Sequence, residues 1–340
     1  MNPIRATDQV FVGKNVPITR LGFGAATQGG LFQAVSELEA QRVFQTAWDA
    51  GLRYFDTAPW YGFGSSEQRL GAFLQDETGY ALSSKVGRLL GSEYPPHPSQ
   101  FQPNGKPVFD TPSELNVRYD YSYDGAMRSL EDSLRRMNVS RIDIAFIHDP
   151  DTGGSSVEEV VNGCGRALLE LRVQGVIGAV GAGMNQWQMM LELAHAAPFD
   201  VFLLAGRYTL LEQASLPFMD HCAAHGISVI VGGVYNSGLL ANPHAGAHYN
   251  YAPVPATLLT RALALQDLCL QHGVPLRAAA LQFPLRHPAV ASVLVAARTT
   301  AQLEDNLAMF ATPIPDELWS ALQLEGLLEK NEINSSLETV

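Results

Sequence analysis

About eight short apolar segments, each followed by a longer stretch of amphipathic spacing, recur along the chain, and this alternation limits the fold to βαβ units around a parallel sheet. The segments that read as buried strands are Leu21 to Ala25, Leu52 to Asp56, Tyr80 to Lys85, Ile142 to His148, Val176 to Gly181, Val201 to Ala205, Ile227 to Val231 and Ser292 to Val295. Helical patterns run through Ser36 to Ala50, Ser66 to Gln75, Tyr123 to Met137, Val157 to Val173, Gln186 to Ala194 and Leu216 to Ala224. No linker-like shift in composition divides residues 1–340, so the expectation is a single (β/α)8 TIM barrel. Val10 to Thr19 alternates around Gly13-Lys14-Asn15, which predicts an N-terminal β-hairpin plugging one end. A Rossmann sheet is disfavoured because no G-x-G-x-x-G follows a strand; Gly22-x-Gly24 lacks the third glycine.

Charge narrows the function. The chain carries 22 Lys+Arg against 34 Asp+Glu, a formal net charge of −12, which argues against a nucleic-acid partner. No run approaches the roughly 18 apolar residues of a membrane span, and Met1 to Arg20 lacks a signal-peptide core, so a cytoplasmic protein without a membrane partner is expected. Cys164, Cys222 and Cys269 are too scattered for a disulfide framework or a zinc site and read as buried small hydrophobes.

A barrel gathers its ligands at the C-terminal ends of its strands. Three successive strands end in Asp56, Lys85 and His148, and Tyr61 follows in Asp56-Thr-Ala-Pro-Trp-Tyr61-Gly62. Singly, each could be a turn residue, a solvated strand end, a core imidazole or a packing ring. Together they suit proton transfer: a lysine beside a carboxylate stays charged, and a cation beside a phenol lowers its pKa toward the working range. Tyr61 then serves as general acid and base, with His148 steering the proton. Two long segments, Arg88 to Tyr121 and Gly238 to Val254, are of a length more often functional than passive.

Asp56, Tyr61, Lys85 and His148 match in order and context the catalytic tetrad of the aldo-keto reductases, and the chain resembles that family over nearly its whole length. The likeness extends to Leu21-Gly22-Phe23-Gly24, to Phe55-Asp56-Thr57-Ala58-x-x-Tyr61-Gly62 and to Ala297-Arg298-Thr299-x-x-Gln302-Leu303-x-x-Asn306. The resemblance implies an NAD(P)-dependent oxidoreductase without a metal, in which Tyr61 moves the proton, Lys85 depresses its pKa, Asp56 holds Lys85 and His148 orients the substrate oxygen. It further implies cofactor contacts from Tyr235, stacked on the nicotinamide, from Asn236, Ser237, Gly238 and Leu240 near the pyrophosphate, and from Arg298, Gln302 and Asn306 around the adenosine phosphate. The Ser-Asn pair that many members carry after the fifth strand is replaced here by Gly183-Met184-Asn185, with Asn185 as its substitute, and Ala205 stands where a Gln is usual. NAD and NADP both stay open.

The strings Ile147-His148-Asp149-Pro150-Asp151, Leu204 to Gln213 and Gly232 to Gly238 resemble the aldose 1-dehydrogenase branch, whose members oxidise cyclic hemiacetals such as L-fucose, D-arabinose, L-galactose or pyridoxal to lactones. Trp60, the Arg88 to Tyr121 loop and Tyr249 to Tyr251 are the expected substrate selectors. Rival readings are a broad NADPH-dependent carbonyl reductase and a cofactor-binding regulatory subunit. His148-Asp149-Pro150-Asp151 also admits a barrel metallohydrolase, and His221-x-x-x-His225 has metal-ligand spacing, but at the wrong end of the barrel.

Overall fold

A computed structural model describes residues 4–250 and 252–329. The first two strands, β1 (Gln9–Val12) and β2 (Val16–Thr19), pair antiparallel as the predicted hairpin. Strands β3 (Leu21–Gly24), β4 (Tyr54–Asp56) and β5 (Ala81–Val86) open the barrel, and β6 (Arg88–Gly91) and β7 (Asn116–Tyr119) form a separate antiparallel pair. The barrel continues with β8 (Ile144–His148), β9 (Ala179–Met184), β10 (Val201–Ala205) and β11 (Ser228–Gly232). After the two-residue strands β12 (His248–Tyr249) and β13 (Ala252–Pro253), it ends with β14 (Val290–Val295). The closed order is β10-β11-β14-β3-β4-β5-β8-β9, every neighbour parallel.

Helices lie outside the strands: α1 (Glu37–Asp49), α2 (Ser65–Leu74), α3 (Tyr123–Met137), α4 (Val157–Val160), α5 (Arg166–Val173), α6 (Trp187–Ala196), α7 (Leu216–Ala224), α8 (Ala256–Gln271), α9 (Leu276–Gln282), α10 (Thr300–Ala311) and α11 (Asp316–Leu324). Their apolar faces and the outward strand residues form one large core, including Phe23, Phe44, Phe55 and Phe202. A second core fills the barrel: Val12, Val16 and Ile18 of the hairpin pack with Tyr54, Ile144, Phe146, Ala179 and Val201, so the hairpin plugs the end away from the strand C-termini. No helix among the described residues is long and apolar enough to cross a membrane.

Two expectations shift. The strand expected over Val176 to Gly181 lies at Ala179–Met184, because the amides of Gly178 and Ala179 both bond the Asp143 carbonyl in a turn and the glycines continue the sheet. A Cβ at Gly181 would run into the Val201 carbonyl, so only glycine lets β9 and β10 approach this closely. Replacing Gly181 by Ala is expected to cost about 3 kcal/mol or more of stability, since backbone cannot yield as a side chain does. A urea midpoint unchanged in the Ala variant would contradict that packing account.

The helix expected over Val157 to Val173 is interrupted by a π-helical turn at Val161–Gly165, where Gly163 leaves helical geometry at φ −93°, ψ −105°. Here the Tyr121 carbonyl presses against Gly163 and accepts the Cys164 amide at 2.9 Å. That contact ties the helix to the segment carrying Tyr121, which reappears at the barrel mouth. All three cysteines are buried, and desolvation pushes the Cys222 thiol up to about 12 and that of Cys269 to about 11.

Candidate active site

The strand ends bring the four predicted residues to one mouth. Asp56 closes β4 and Lys85 lies one residue from the end of β5, and their side chains meet with Nζ to Oδ2 at 2.7 Å, both about 2–4% exposed. Lys85 also donates to the Thr57 carbonyl at 2.9 Å, and the Ser83 hydroxyl donates to Asp56 Oδ1 at 2.7 Å. Each charge therefore has a partner and a second hydrogen bond, which is what lets an ion pair persist out of water. Burial pulls Lys85 down, but Asp56 and Tyr61 outweigh it and hold the ammonium above its ordinary pKa.

Tyr61 stands over this pair, with Lys85 Nζ 4.6 Å from its ring centroid, and its ring meets that of His148 edge-on at 5.8 Å. The phenol behaves differently from the expectation. Desolvation raises its pKa, Lys85 lowers it by less, and the Asp56 carboxylate raises it again, so the net shift is upward. Sequence reasoning counted the cation but not the loss of water around the ring or the carboxylate that neutralises Lys85. Burial, then Arg88 and Lys85, hold His148 well below its usual value, so its imidazole is neutral; Nδ1 is buried without a partner.

Several lining residues were missed. Arg88 follows β5 by two residues, is 4% exposed, and reaches Asp149 with NH2 to Oδ2 at 2.5 Å. Its guanidinium carbon lies 5.4 Å from the Trp60 centroid and 5.1 Å from that of Tyr119. Phe109, from the predicted loop, packs on Tyr61 at 6.1 Å and edge-on against Trp60 at 5.3 Å. That segment is an ordered wall built on β6 and β7. Trp60, named from sequence as a substrate contact, is only 7% exposed and belongs mainly to this wall. Tyr249 packs half-buried against the outer core, and Tyr251 lies outside the described residues.

The predicted cofactor residues surround the mouth on its other side. Asn185, exposed just past β9, donates from Nδ2 to the Ala205 carbonyl at 2.8 Å, spanning the position where a Gln was expected. Asn236, Ser237 and Gly238 take three successive left-handed φ values, 46°, 58° and 90°, and the buried Asn236 Oδ1 has no partner. The Tyr235 hydroxyl donates to Asn306 Oδ1 at 3.1 Å, joining this turn to α10. The Leu240 side chain is fully buried in the core and its amide bonds the Tyr235 carbonyl, so any cofactor contact it makes is through its backbone carbonyl. A Cβ at Gly232 would meet only Leu203 at 3.8 Å, and one at Gly24 nothing nearer than 3.7 Å, so glycines at the ends of β11 and β3 keep the mouth open. An open rim, an orphaned amide oxygen and a ring beside the turn fit a flat, polar dinucleotide headgroup.

Where the adenosine phosphate was expected, at the start of α10, the polar groups are engaged within the chain. Gln302 Oε1 accepts the Arg298 amide at 2.7 Å, the Arg298 guanidinium donates to the Leu31 carbonyl at 2.8 Å, and Glu39 Oε1 accepts the Thr300 amide at 3.1 Å. His221 and His225 lie at the opposite, hairpin end, in a cleft of about 570 Å³ with Gly13 and Lys14. Asp149, half of the candidate metallohydrolase string, is the counter-ion of Arg88.

Residues 20–324 match the model of the aldo/keto reductase family. Among curated proteins, pyridoxal 4-dehydrogenase of Microbacterium luteolum is 40% identical, covering 96% of this chain and 99% of the relative. D-threo-aldose 1-dehydrogenase of a Pseudomonas species is 38% identical over 93% of this chain and 97% of its own. L-galactose dehydrogenase of Arabidopsis thaliana is 25% identical over 95% and 90%. Among solved structures, an aldo-keto reductase from Bacillus halodurans in its holo form superposes with a TM-score of 0.74 at 24% identity, covering 95% of this chain and 97% of that one.

Proposed function

The chain belongs to the aldo/keto reductase family, and from that premise we propose that it oxidises the hemiacetal carbon of an aldose or pyridoxal-like ring to the lactone, with NAD as acceptor. The observation that carries this reading is the buried Lys85–Asp56 pair beneath Tyr61 and beside His148, in a chain whose relatives include a pyridoxal 4-dehydrogenase and a D-threo-aldose 1-dehydrogenase. Bound at the mouth, a nicotinamide supplies the hydride acceptor. The chain's own residues supply position and proton transfer.

In this reading the anomeric hydroxyl sits between the Tyr61 phenol and the neutral His148. Tyr61 takes its proton, His148 fixes its orientation, and the Lys85 ammonium stabilises the phenolate that receives the proton. Asp56 keeps Lys85 charged and in place. Residues Asn185, Tyr235, Asn236, Ser237, Gly238 and Asn306 are the proposed cofactor contacts, and Tyr119, backed by the cluster of Trp60 and Phe109, the apolar wall against the ring.

The upward shift of Tyr61 sets the pH dependence. Oxidation needs the phenolate, which is the minor form until pH passes a pKa above the ordinary phenol value of about 10, so kcat/KM for oxidation rises with pH through roughly 7 to 10. Because His148 is neutral over this range, no inflection falls near the usual imidazole value. A plateau reached already near neutrality would contradict Tyr61 as the base in this environment.

Preference for NAD over NADP follows from Glu39. A 2′-phosphate placed at the start of α10 would meet the Glu39 carboxylate, which already holds the Thr300 amide, and an Arg298 guanidinium drawn off to Leu31. Glu39→Gln is therefore expected to shift the ratio of kcat/KM for NAD over NADP toward NADP by about tenfold. A wild-type preference for NADP, or a ratio unmoved by the substitution, would remove this assignment.

A further inference from the structure

Asp149 is strained, paired with Arg88 and partly open beside the proposed reaction centre. It follows His148 directly and takes a left-handed backbone at φ 42°, a region that costs a non-glycine residue about 1 kcal/mol or more. The surrounding chain enforces it: the Tyr121 hydroxyl donates to the carbonyls of His148 at 2.6 Å and Asp149 at 2.9 Å, and the Asp149 amide bonds the Gly183 carbonyl at 3.0 Å. The result turns the carboxylate back over the mouth, with Oδ2 3.4 Å from His148 Nε2 and 2.5 Å from Arg88 NH2. Arg88 lies between Trp60 and Tyr119, its side chain 5% exposed and its Nε without a partner, whereas 22% of the Asp149 side chain stays open. Among the described residues no hydrogen bond reaches Asp149 Oδ1. A desolvated pair of this kind contributes little to stability on its own. Its place, next to His148 and over aromatic faces, gives an acceptor and a donor aimed at the same small volume.

We propose that Asp149, held by Arg88, recognises the hydroxyl on the carbon adjacent to the reacting hemiacetal carbon, so that of the two substrate classes named above the enzyme takes aldoses with a free 2-hydroxyl over pyridoxal-like rings and plain hemiacetals, which carry none there. This rests on the function proposed above and names the substrate feature that the site reads. If the reacting oxygen contacts His148 Nε2, the oxygen on the next carbon lies a hydrogen-bond length away, where Oδ1 or Oδ2 accepts its proton. A ring lacking that hydroxyl leaves the carboxylate desolvated and unanswered, a loss that sites built around a substrate hydroxyl convert into strong rejection.

The test compares D-arabinose with its 2-deoxy counterpart, and both with 2-hydroxytetrahydropyran, in the wild-type enzyme, in Asp149→Asn and in the double variant Arg88→Met/Asp149→Asn. The double variant removes both charges, so neither is left buried alone if the single variant folds poorly. The wild-type enzyme is expected to favour D-arabinose over the 2-deoxy sugar by about a hundredfold or more in kcat/KM, and the ratio to fall to within about tenfold in the variants. Equal use of the two sugars by the wild-type enzyme would overturn the proposal. So would variants that lose activity on all three substrates with the ratio intact, because Asp149 would then act only through the orientation of His148. Oxidation of 2-hydroxytetrahydropyran keeps the hemiacetal reading standing in either case. A wild-type enzyme that oxidises no aldose overturns the proposal, and one that oxidises neither an aldose nor pyridoxal overturns the proposed function with it.

Discussion

Tyr61→Phe is expected to lower kcat for hemiacetal oxidation by about a thousandfold, within the range that a positioned acid–base group contributes. The substitution removes one oxygen and leaves the ring that packs against Phe109 and His148, so the fold and the cofactor region should be undisturbed. The loss should fall on kcat and kcat/KM together, because the proton transfer is made in the transition state and contributes little to ground-state binding. The alkaline rise in the oxidation rate should also vanish, since no other group in the mouth has its proton in the right place. Retention of full turnover by the Phe variant would dismiss Tyr61 as the proton acceptor.

Lys85→Met should damage both stability and rate, and the two effects can be separated. Breaking a buried pair by removing one partner costs about 3–5 kcal/mol, because Asp56 would remain as a desolvated carboxylate with only the Ser83 hydroxyl on it. The double variant Asp56→Asn/Lys85→Met removes both charges and should recover most of that stability. Its rate should stay low, because the Lys85 ammonium is what draws the Tyr61 pKa down, and without it the phenol moves further up. Denaturant midpoints and pH–rate profiles on the same preparations check both halves. A double variant that regains turnover along with stability would show that the ammonium serves only to hold the barrel mouth together.

The barrel was legible because its signal is local and repeated. A strand buried on both faces must be apolar along its length, and a helix lying on it must show one apolar stripe, so the alternation survives even where boundaries move. Boundaries moved where glycine was read by propensity. Gly181 ended the expected strand and Gly183 lay beyond it, and only the close approach of β10 at Gly181, which admits no side chain there, shows that the glycines carry the sheet onward, a fact that belongs to tertiary packing. Gly163 was passed over inside a helical pattern for the same reason, its role being to admit the Tyr121 carbonyl.

The four residues at the mouth were found because they close strands or follow them at fixed spacing. The pairing of Arg88 with Asp149 was missed because the two meet across 61 positions of sequence, Arg88 at the head of a segment read as a loop and Asp149 in a string read for metal binding. The signal was available: residues of opposite charge within two positions of the ends of β5 and β8, which are neighbours in the parallel barrel. The direction of the Tyr61 shift was missed for a different reason. Charge partners can be listed from a sequence, whereas the water a ring loses depends on everything packed around it.

The most direct test of the account is the initial rate of reduced-nicotinamide absorbance, with NAD and NADP separately, across L-fucose, D-arabinose, L-galactose, D-glucose and pyridoxal, with the product identified as the lactone. The account predicts NAD-dependent turnover of one or a few of these, with lactone formed in step with reduced cofactor. Silence across the panel, from a protein that reduces simple aldehydes with NADPH, would contradict it.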